Sequence, residues 1–131
     1  MRTLTVDCGG SGIKGAILDA EANMLSARVR YPVRYPITPM DFLALLGRIA
    51  YEVSSEAGPF DRATVGLPGM IRHGVVVTTP HYRTVGGPHT AVDPELDAEW
   101  RQFDLRTALE QLWTLPVLVL IEAKLQGVAV F

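Results

Sequence analysis

The residues with the clearest capacity for chemistry lie near the start of the chain, directly after a strand-like apolar run. They are Asp7, Gly9, Gly10, Ser11 and Lys14. Glycine lets backbone N–H groups approach an anion without a Cβ in the way, and a serine and a lysine add a donor and a positive charge. This segment therefore predicts a phosphate-binding turn, with the carboxylate placed to meet a metal–phosphate complex.

Three sequence patterns compete for this segment. The P-loop pattern requires a serine or threonine after its lysine, but Lys14 is followed by Gly15, so the pattern is not met. The dinucleotide fingerprint G-x-G-x-x-G is met by Gly10, Gly12 and Gly15, but it also needs a helix after the glycines and an acid about 20 residues later. This chain has arginines near that offset, and a strand over residues 13–19 would exclude the fingerprint. The third pattern is Asp-x-Gly-Gly-Ser-x-x-Lys between the strands of a hairpin.

Hydrophobic spacing predicts the elements that would position these residues. The predicted strands cover residues 4–7, 13–19, 24–30, 63–67 and 116–121, with a β-rich piece at 70–78. The last strand reads as an unbroken apolar run, which is typical of a strand buried on both faces. The predicted helices begin at Thr38 and Asp104 as N-caps. A proline-rich linker covers residues 31–39, and a long loop without periodicity covers residues 81–99.

The third pattern is similar to the first phosphate motif of the actin-like ATPase fold, and the chain resembles the ROK family of sugar kinases and repressors. Residues 10–16 look most like the polyphosphate- or ATP-dependent glucokinases of that family. Residues 65–71 with 74–76 resemble its Gly-x-Pro-Gly segment and hairpin. Residues 105–112 with 115–120 resemble the helix and strand before its Asn-Asp-Ala catalytic motif. These segments follow the family's order and cover nearly the whole chain.

The resemblance implies an α/β fold, namely one actin-like ATPase (ribonuclease H-like) lobe with a mixed five-stranded sheet and helices on both faces. A single N-terminal lobe is expected over residues 1–131, without the family's second lobe. That second lobe carries another phosphate motif, a sugar-binding histidine motif and a zinc site, so no structural zinc site is expected here.

The resemblance also implies an activity. In such kinases a glycine hairpin and Mg²⁺ hold the phosphates of ATP or polyphosphate, while a carboxylate accepts the proton of a hexose hydroxyl. If the family's site residues are transferred to the matching positions of this chain, Gly69 and His81 lie near the sugar, which is expected to be glucose. The carboxylate of Asp7 is then expected to contact Mg²⁺. The carried-over phosphate site consists of Asp7, Gly9, Gly10, Ser11 and Lys14.

The family's catalytic motif is altered in this chain, because Asn-Asp-Ala falls on Ile121-Glu122-Ala123. Isoleucine cannot hydrogen-bond a sugar hydroxyl, and the longer Glu122 moves the catalytic carboxylate by about 1 Å, which can cost on the order of 10²-fold in rate. The chain alone is therefore expected to be inactive, and whether it is an enzyme stays open. The alternatives are a non-catalytic ROK-derived sensing or pairing module and a dinucleotide-binding module.

Composition limits the partners. The 131 residues carry 12 Lys and Arg against 14 Asp and Glu, a formal net charge of −2, so neither nucleic acid nor a membrane is an expected partner. The single Cys8 excludes an intrachain disulfide, and the absence of a signal peptide favours a cytoplasmic location. Residues 122–131 predict a helix whose apolar face would pair with a second lobe or a second copy.

Overall fold

The computed structural model describes residues 1–121. Within that range, the helices are α1 (Pro39–Ala57), α2 (Pro94–Trp100) and α3 (Leu105–Trp113). The strands are β1 (Thr3–Cys8), β2 (Gly12–Leu18), β3 (Val29–Pro32), β4 (Arg62–Leu67), β5 (Met70–Arg72), β6 (Val75–Thr78) and β7 (Val117–Ile121).

The main sheet is mixed and has five strands in the order β3-β2-β1-β4-β7. Strand β2 runs antiparallel to β1 and β3, whereas β1, β4 and β7 are parallel to one another. The predicted mixed five-stranded α/β architecture is confirmed. Because the carboxyl ends of parallel strands meet at one edge of a sheet, the segments that follow β1, β4 and β7 all leave from the same edge.

Alternation along β1 separates the two faces of this sheet. Leu4, Val6 and Cys8 are fully buried on one face, whereas Asp7 lies on the other and is partly exposed. Helices α1 and α3 pack on the buried face and share one hydrophobic core with β1, β2, β4 and β7. The opposite face, called the open face below, carries exposed Lys14. Helices were predicted on both faces of the sheet. Within residues 1–121, α1 and α3 lie on the buried face.

Helix α1 begins at Thr38, the predicted N-cap. The Thr38 side chain accepts a hydrogen bond from the amide of Asp41, and the Asp41 carboxylate accepts one from the amide of Thr38, which forms a capping box. The helix ends at Gly58, whose φ of +91° is a conformation that glycine adopts readily. Its buried side recurs every three or four residues and consists of Pro39, Phe42, Leu46, Ile49, Ala50 and Val53.

The predicted third strand over residues 24–30 is wrong in position. Strand β3 starts later, at Val29, and Met24 meets β2 only through an isolated bridge. The cause is a side chain, since Ser26 Oγ accepts the hydrogen bond of the Ile17 amide at 2.9 Å, where a backbone carbonyl would continue the ladder. The strand then enters the predicted linker as far as Pro32, which an edge strand tolerates.

The predicted loop over residues 81–99 contains a helix, α2, so that prediction is also wrong. Asp93 caps α2 by accepting from the amides of Glu95 and Leu96, and Pro94 occupies its first turn. The buried side is only two residues long, Leu96 and Trp100, which is too short to create a clear periodicity. The Asp-Pro dipeptide was the available signal.

Strand β7 is predicted to be buried on both faces, and this is wrong for the described part of the chain. Among residues 1–121, β7 is an edge strand, and Leu118 on the open face is 54% exposed. Val117 and Val119 face the core. None of the helices in this part of the chain combines the length and apolar character needed to cross a bilayer.

Candidate phosphate-binding site

Strands β1 and β2 form a hairpin whose turn is the glycine-rich segment. The amide of Gly9 donates to the carbonyl oxygen of Gly12 at 2.9 Å, and the register places Asp7 opposite Lys14. The segment after the glycines is therefore a strand, whereas the dinucleotide fingerprint requires a helix at this place. The segment thus lacks the helix of the dinucleotide fingerprint and forms the hairpin of the third pattern.

Three consecutive carbonyl groups of this turn accept hydrogen bonds from distant residues. The Tyr82 hydroxyl donates to the Gly9 oxygen at 2.9 Å, and the Tyr35 hydroxyl donates to the Gly10 oxygen. The amide of Val33 donates to the Ser11 oxygen at 3.0 Å. These bonds fix the orientation of the peptide planes that carry the turn's N–H groups.

The amides of Gly10 and Ser11 have no hydrogen-bond partner among residues 1–121. Ser11 is exposed and Gly10 is partly exposed, so both amides are donors that a ligand can reach. Successive N–H groups of this kind form anion-binding concavities. The turn has the donors that a phosphate oxygen needs, and they are held in place from behind.

The two tyrosines belong to an aromatic cluster, which consists of Tyr35, Phe42, Tyr82, Trp100 and Phe103. The Tyr82 ring lies 5.4 Å from those of Phe42 and Trp100. Trp100 is 1% exposed, and its Nε1 donates to the carbonyl of Ile37 at 2.9 Å. Trp100 is therefore a core residue, and the cluster links the turn to α1 and α2.

A neighbouring loop lies directly against the turn and explains one of its glycines. A Cβ on Gly10 would lie 2.8 Å from Cγ of Pro88 and 3.3 Å from the ring of His81. The main chain can approach this loop only without a side chain at position 10. The same contact places His81, the predicted sugar-side residue, beside the turn.

Asp7 lies on the open face at the end of β1, and one of its carboxylate oxygens, Oδ1, is buried. That atom has no hydrogen-bond partner in the described part of the chain. A buried unpaired carboxylate oxygen raises the free energy of the folded state unless a cation or a donor binds it.

Mg²⁺ would fit this oxygen, because it is commonly bound by one or two carboxylates together with substrate phosphates. Residues 1–121 contain no group of three or more His, Cys, Asp or Glu side chains that could enclose a metal on their own. A cation here would therefore depend on phosphate oxygens and water for most of its ligands.

Lys14 is exposed and has no acidic partner within 4 Å among the described residues. In the register it stands between Asp7 on β1 and Arg30 on β3. Arg30 is absent from the predicted site. The predicted third strand, residues 24–30, included Arg30, but the sequence did not give the register of that strand with β2. With the register known, Arg30 becomes a neighbour of the turn.

Gly69 follows β4 at the sheet edge that carries the turn, since β1 and β4 are parallel and Asp7 pairs with Gly66. Its φ is +122°, and a Cβ there would collide with the carbonyl oxygen of Thr78. The hairpin formed by β5 and β6 thus requires glycine at this position. Glu122, the predicted base, and the predicted helix at 122–131 lie outside the described residues.

Burial raises the pKa of Tyr35 from 10.0 to about 12. The phenol donates to the Gly10 carbonyl, and the raised pKa keeps it protonated even in mild alkali. The neutral form also suits a site that binds an anion, because a phenolate would repel phosphate.

No protein-family model matches the chain. A polyphosphate glucokinase from Mycobacterium tuberculosis is 40% identical over 74 residues, which is 56% of this chain and 26% of that protein. The chain thus spans about a quarter of the length of the curated relatives that it matches.

Solved structures show the same fold. A ROK family glucokinase from Streptomyces griseus, in complex with glucose and AMPPNP, matches 91% of this chain with a TM-score of 0.68, 21% identity and 32% of its own length. A ROK family transcriptional regulator matches 90% of this chain with a TM-score of 0.64, 18% identity and 27% of its own length. The resemblance to ROK sugar kinases is confirmed in sequence over part of the chain and in fold over nearly all of it.

Proposed function

We propose that this chain supplies the phosphate-binding lobe of a glucokinase-type sugar kinase, which transfers a phosphoryl group from ATP or polyphosphate to a hexose hydroxyl. The observation that carries the proposal is the β1–β2 turn. Its carbonyl groups are held by Tyr35, Tyr82 and Val33, and the amides of Gly10 and Ser11 are left unpaired. The similarity to glucokinases agrees with this reading of the turn.

In this proposal the residues of the turn place the donor and neutralise its charge. The amides of Gly10 and Ser11 and the ammonium group of Lys14 bind phosphate oxygens, while Asp7 holds Mg²⁺. When bound, Mg²⁺ would supply charge neutralisation to the transferred group. Phosphoryl transfer depends mainly on placement and electrostatic stabilisation, and fixed donors serve both.

The sugar side of the site is proposed from the family resemblance together with one contact. His81 lies against Gly10, so a hexose bound beside it would be next to the phosphate site. We assign Gly69 to the same side and Glu122 to proton acceptance from the hexose hydroxyl. The hexose is expected to be glucose, and the cytoplasm remains the predicted location.

We further propose that the chain alone does not phosphorylate sugar. It corresponds to about a third of the solved glucokinase, and its motif reads Ile121-Glu122 where the kinases carry Asn-Asp. Assays of glucose 6-phosphate formation with ATP and with polyphosphate should show no product. Product formed by the purified chain would contradict this part of the proposal.

The phosphate site is tested by calorimetric titration of the protein with orthophosphate and tripolyphosphate in the presence of Mg²⁺. Lys14→Gln should lower the affinity for both anions by about 5-fold, since one charge-assisted contact is lost. Arg72→Gln, on strand β5, removes an equal charge and should leave both affinities unchanged. Failure of the wild-type protein to bind either anion would refute the phosphate site.

A second candidate is a non-catalytic sensing or pairing module, which the fold shared with a ROK transcriptional regulator and the altered motif favour. The combined change Ile121→Asn and Glu122→Asp separates the two proposals in a chain joined to a glucokinase second lobe. Recovery of glucose phosphorylation supports the kinase proposal. Phosphate binding without any recovery of activity supports the sensing module.

A further inference from the structure

Arg30 forms part of a row of charged side chains that crosses three strands on the open face. The register pairs Asp7 with Lys14 and Lys14 with Arg30. Paired residues lie on the same face, and neighbouring strands are about 4.8 Å apart. The two cations are thus direct neighbours, with the carboxylate on the far side of Lys14.

The guanidinium of Arg30 also lies over the end of the glycine turn. A Cβ on Gly12 would stand 2.5 Å from Nη2 and 2.6 Å from Cζ of Arg30. The space above Gly12 is therefore occupied by the cationic group itself. The turn's donors and the guanidinium are adjacent parts of one surface.

Neither Lys14 nor Arg30 has an acidic partner in the described part of the chain. The ion pairs there join Arg83 and Arg101 to Asp97 and Arg106 to Glu110. Like charges directly opposite each other on neighbouring strands are destabilising. An anion bound between the two side chains would remove that repulsion.

We propose that Arg30 binds a second phosphate group, which is linked to the one held by the glycine turn and Lys14. This inference rests on the proposed phosphate site and adds the residue that would make this site prefer linked phosphates to orthophosphate. A guanidinium binds phosphate through two parallel N–H donors, which a single ammonium cannot do. Inorganic polyphosphate and a nucleoside triphosphate share this chemistry, whereas orthophosphate has no second phosphate group to offer.

The test compares Arg30→Gln with Arg62→Gln by calorimetric titration with tripolyphosphate, ATP and orthophosphate, each with Mg²⁺. Arg62 is the matched control because it lies on the same face, paired with Thr3, four residues along β1 from Asp7 and thus about 13 Å away. Arg30→Gln should lower the affinity for tripolyphosphate by about 5-fold and change the affinity for orthophosphate by less than about 2-fold. Arg62→Gln should change neither by more than about 2-fold. The tripolyphosphate affinity of Arg30→Lys should lie between those of the wild type and Arg30→Gln.

The outcomes separate this inference from the proposed function. Equal losses in Arg30→Gln and Arg62→Gln, or equal losses for tripolyphosphate and orthophosphate, would overturn the role of Arg30. Orthophosphate binding to the wild type with no selective effect of Arg30→Gln would overturn this inference and leave the turn intact as a phosphate site. Absence of binding to any of the three anions would refute both. If Arg30→Gln lowers the affinity for tripolyphosphate but not for ATP, the ligand is the inorganic phosphate chain. If it lowers the affinity for both equally, the site binds the phosphate chain that the two ligands share.

Discussion

The Tyr35 hydroxyl donates a hydrogen bond of 2.5 Å to the carbonyl oxygen of Gly10, 25 residues away in the chain. Tyr82 makes the corresponding bond to Gly9 across 73 residues. The geometry of the glycine turn is therefore set by two phenols from the aromatic cluster as well as by its own sequence. Such residues position the groups that bind the ligand without binding it themselves.

Replacing Tyr35 by Phe removes the donor and leaves the ring. The Gly10 carbonyl then loses its partner, so the free energy of unfolding should fall by about 1 kcal/mol. Urea denaturation measures this loss, and tripolyphosphate binding should weaken several-fold because the turn is less restrained. Tyr51→Phe is the matched control, since Tyr51 is 77% exposed. Equal tripolyphosphate affinities for Tyr35→Phe and Tyr51→Phe would contradict a positioning role.

The raised pKa of Tyr35 predicts a loss of stability in alkali. Because burial raises the pKa from 10.0 to about 12, the unfolded chain releases the phenolic proton at a lower pH than the folded chain does. The stabilisation is complete below pH 10 and is lost as the pH rises to about 12. The pKa of Tyr31 is raised as well, first by its hydrogen bond to Glu52.

Denaturation of the wild type and Tyr35→Phe in a series of buffers from about pH 9 to about pH 12 isolates the contribution of Tyr35. The wild type should lose more stability than the variant over this range. Parallel curves would show that the Tyr35 proton is not linked to folding.

Two glycines provide a paired test of packing. A Cβ on Gly15 would collide with Cγ2 of Ile49 on α1, so Gly15→Ala should cost about 1–3 kcal/mol through overpacking. A Cβ on Gly47 would meet Leu112 at an ordinary 3.8 Å, and alanine favours a helix, so Gly47→Ala should stabilise by about 0.5–1 kcal/mol. Thermal denaturation of both variants checks the opposite signs. Changes of the same sign would mean that the packing of α1 on β2 is wrong.

Replacing Asp7 should have opposite effects on stability and on Mg²⁺-dependent binding. Asp7→Asn removes a charge whose Oδ1 is buried and unpaired, so the free energy of unfolding should rise by about 0.5–1 kcal/mol. Binding of tripolyphosphate should at the same time lose its dependence on Mg²⁺. Denaturation and titration with and without Mg²⁺ measure the two effects. A variant that is less stable and keeps its Mg²⁺ dependence would show that Asp7 has a structural role.

Local sequence predicted the elements with strong local signals. The capping box at Thr38 and Asp41 and the apolar face of α1 involve neighbours in the chain, so they could be read directly. The same holds for the glycine hairpin. Helix α2 was missed because its two buried residues are too few to show a period.

The supporting parts of the site could not be predicted in this way. Tyr35 and Tyr82 reach the turn only through the folding of α1 and the loop after β6, and no sequence spacing records such contacts. Arg30 became visible once the register of β3 was known. Thus the residues that would touch phosphate carried a motif, whereas the residues that place them or extend their reach did not.

The most direct test of the central claim follows the backbone amide resonances of Gly10 and Ser11 while tripolyphosphate and Mg²⁺ are added to the protein. The phosphate-site account predicts saturable shifts at these two amides and at Lys14, with no comparable shift at Gly47 on α1. Saturable binding that leaves the Gly10 and Ser11 amides unshifted would contradict it.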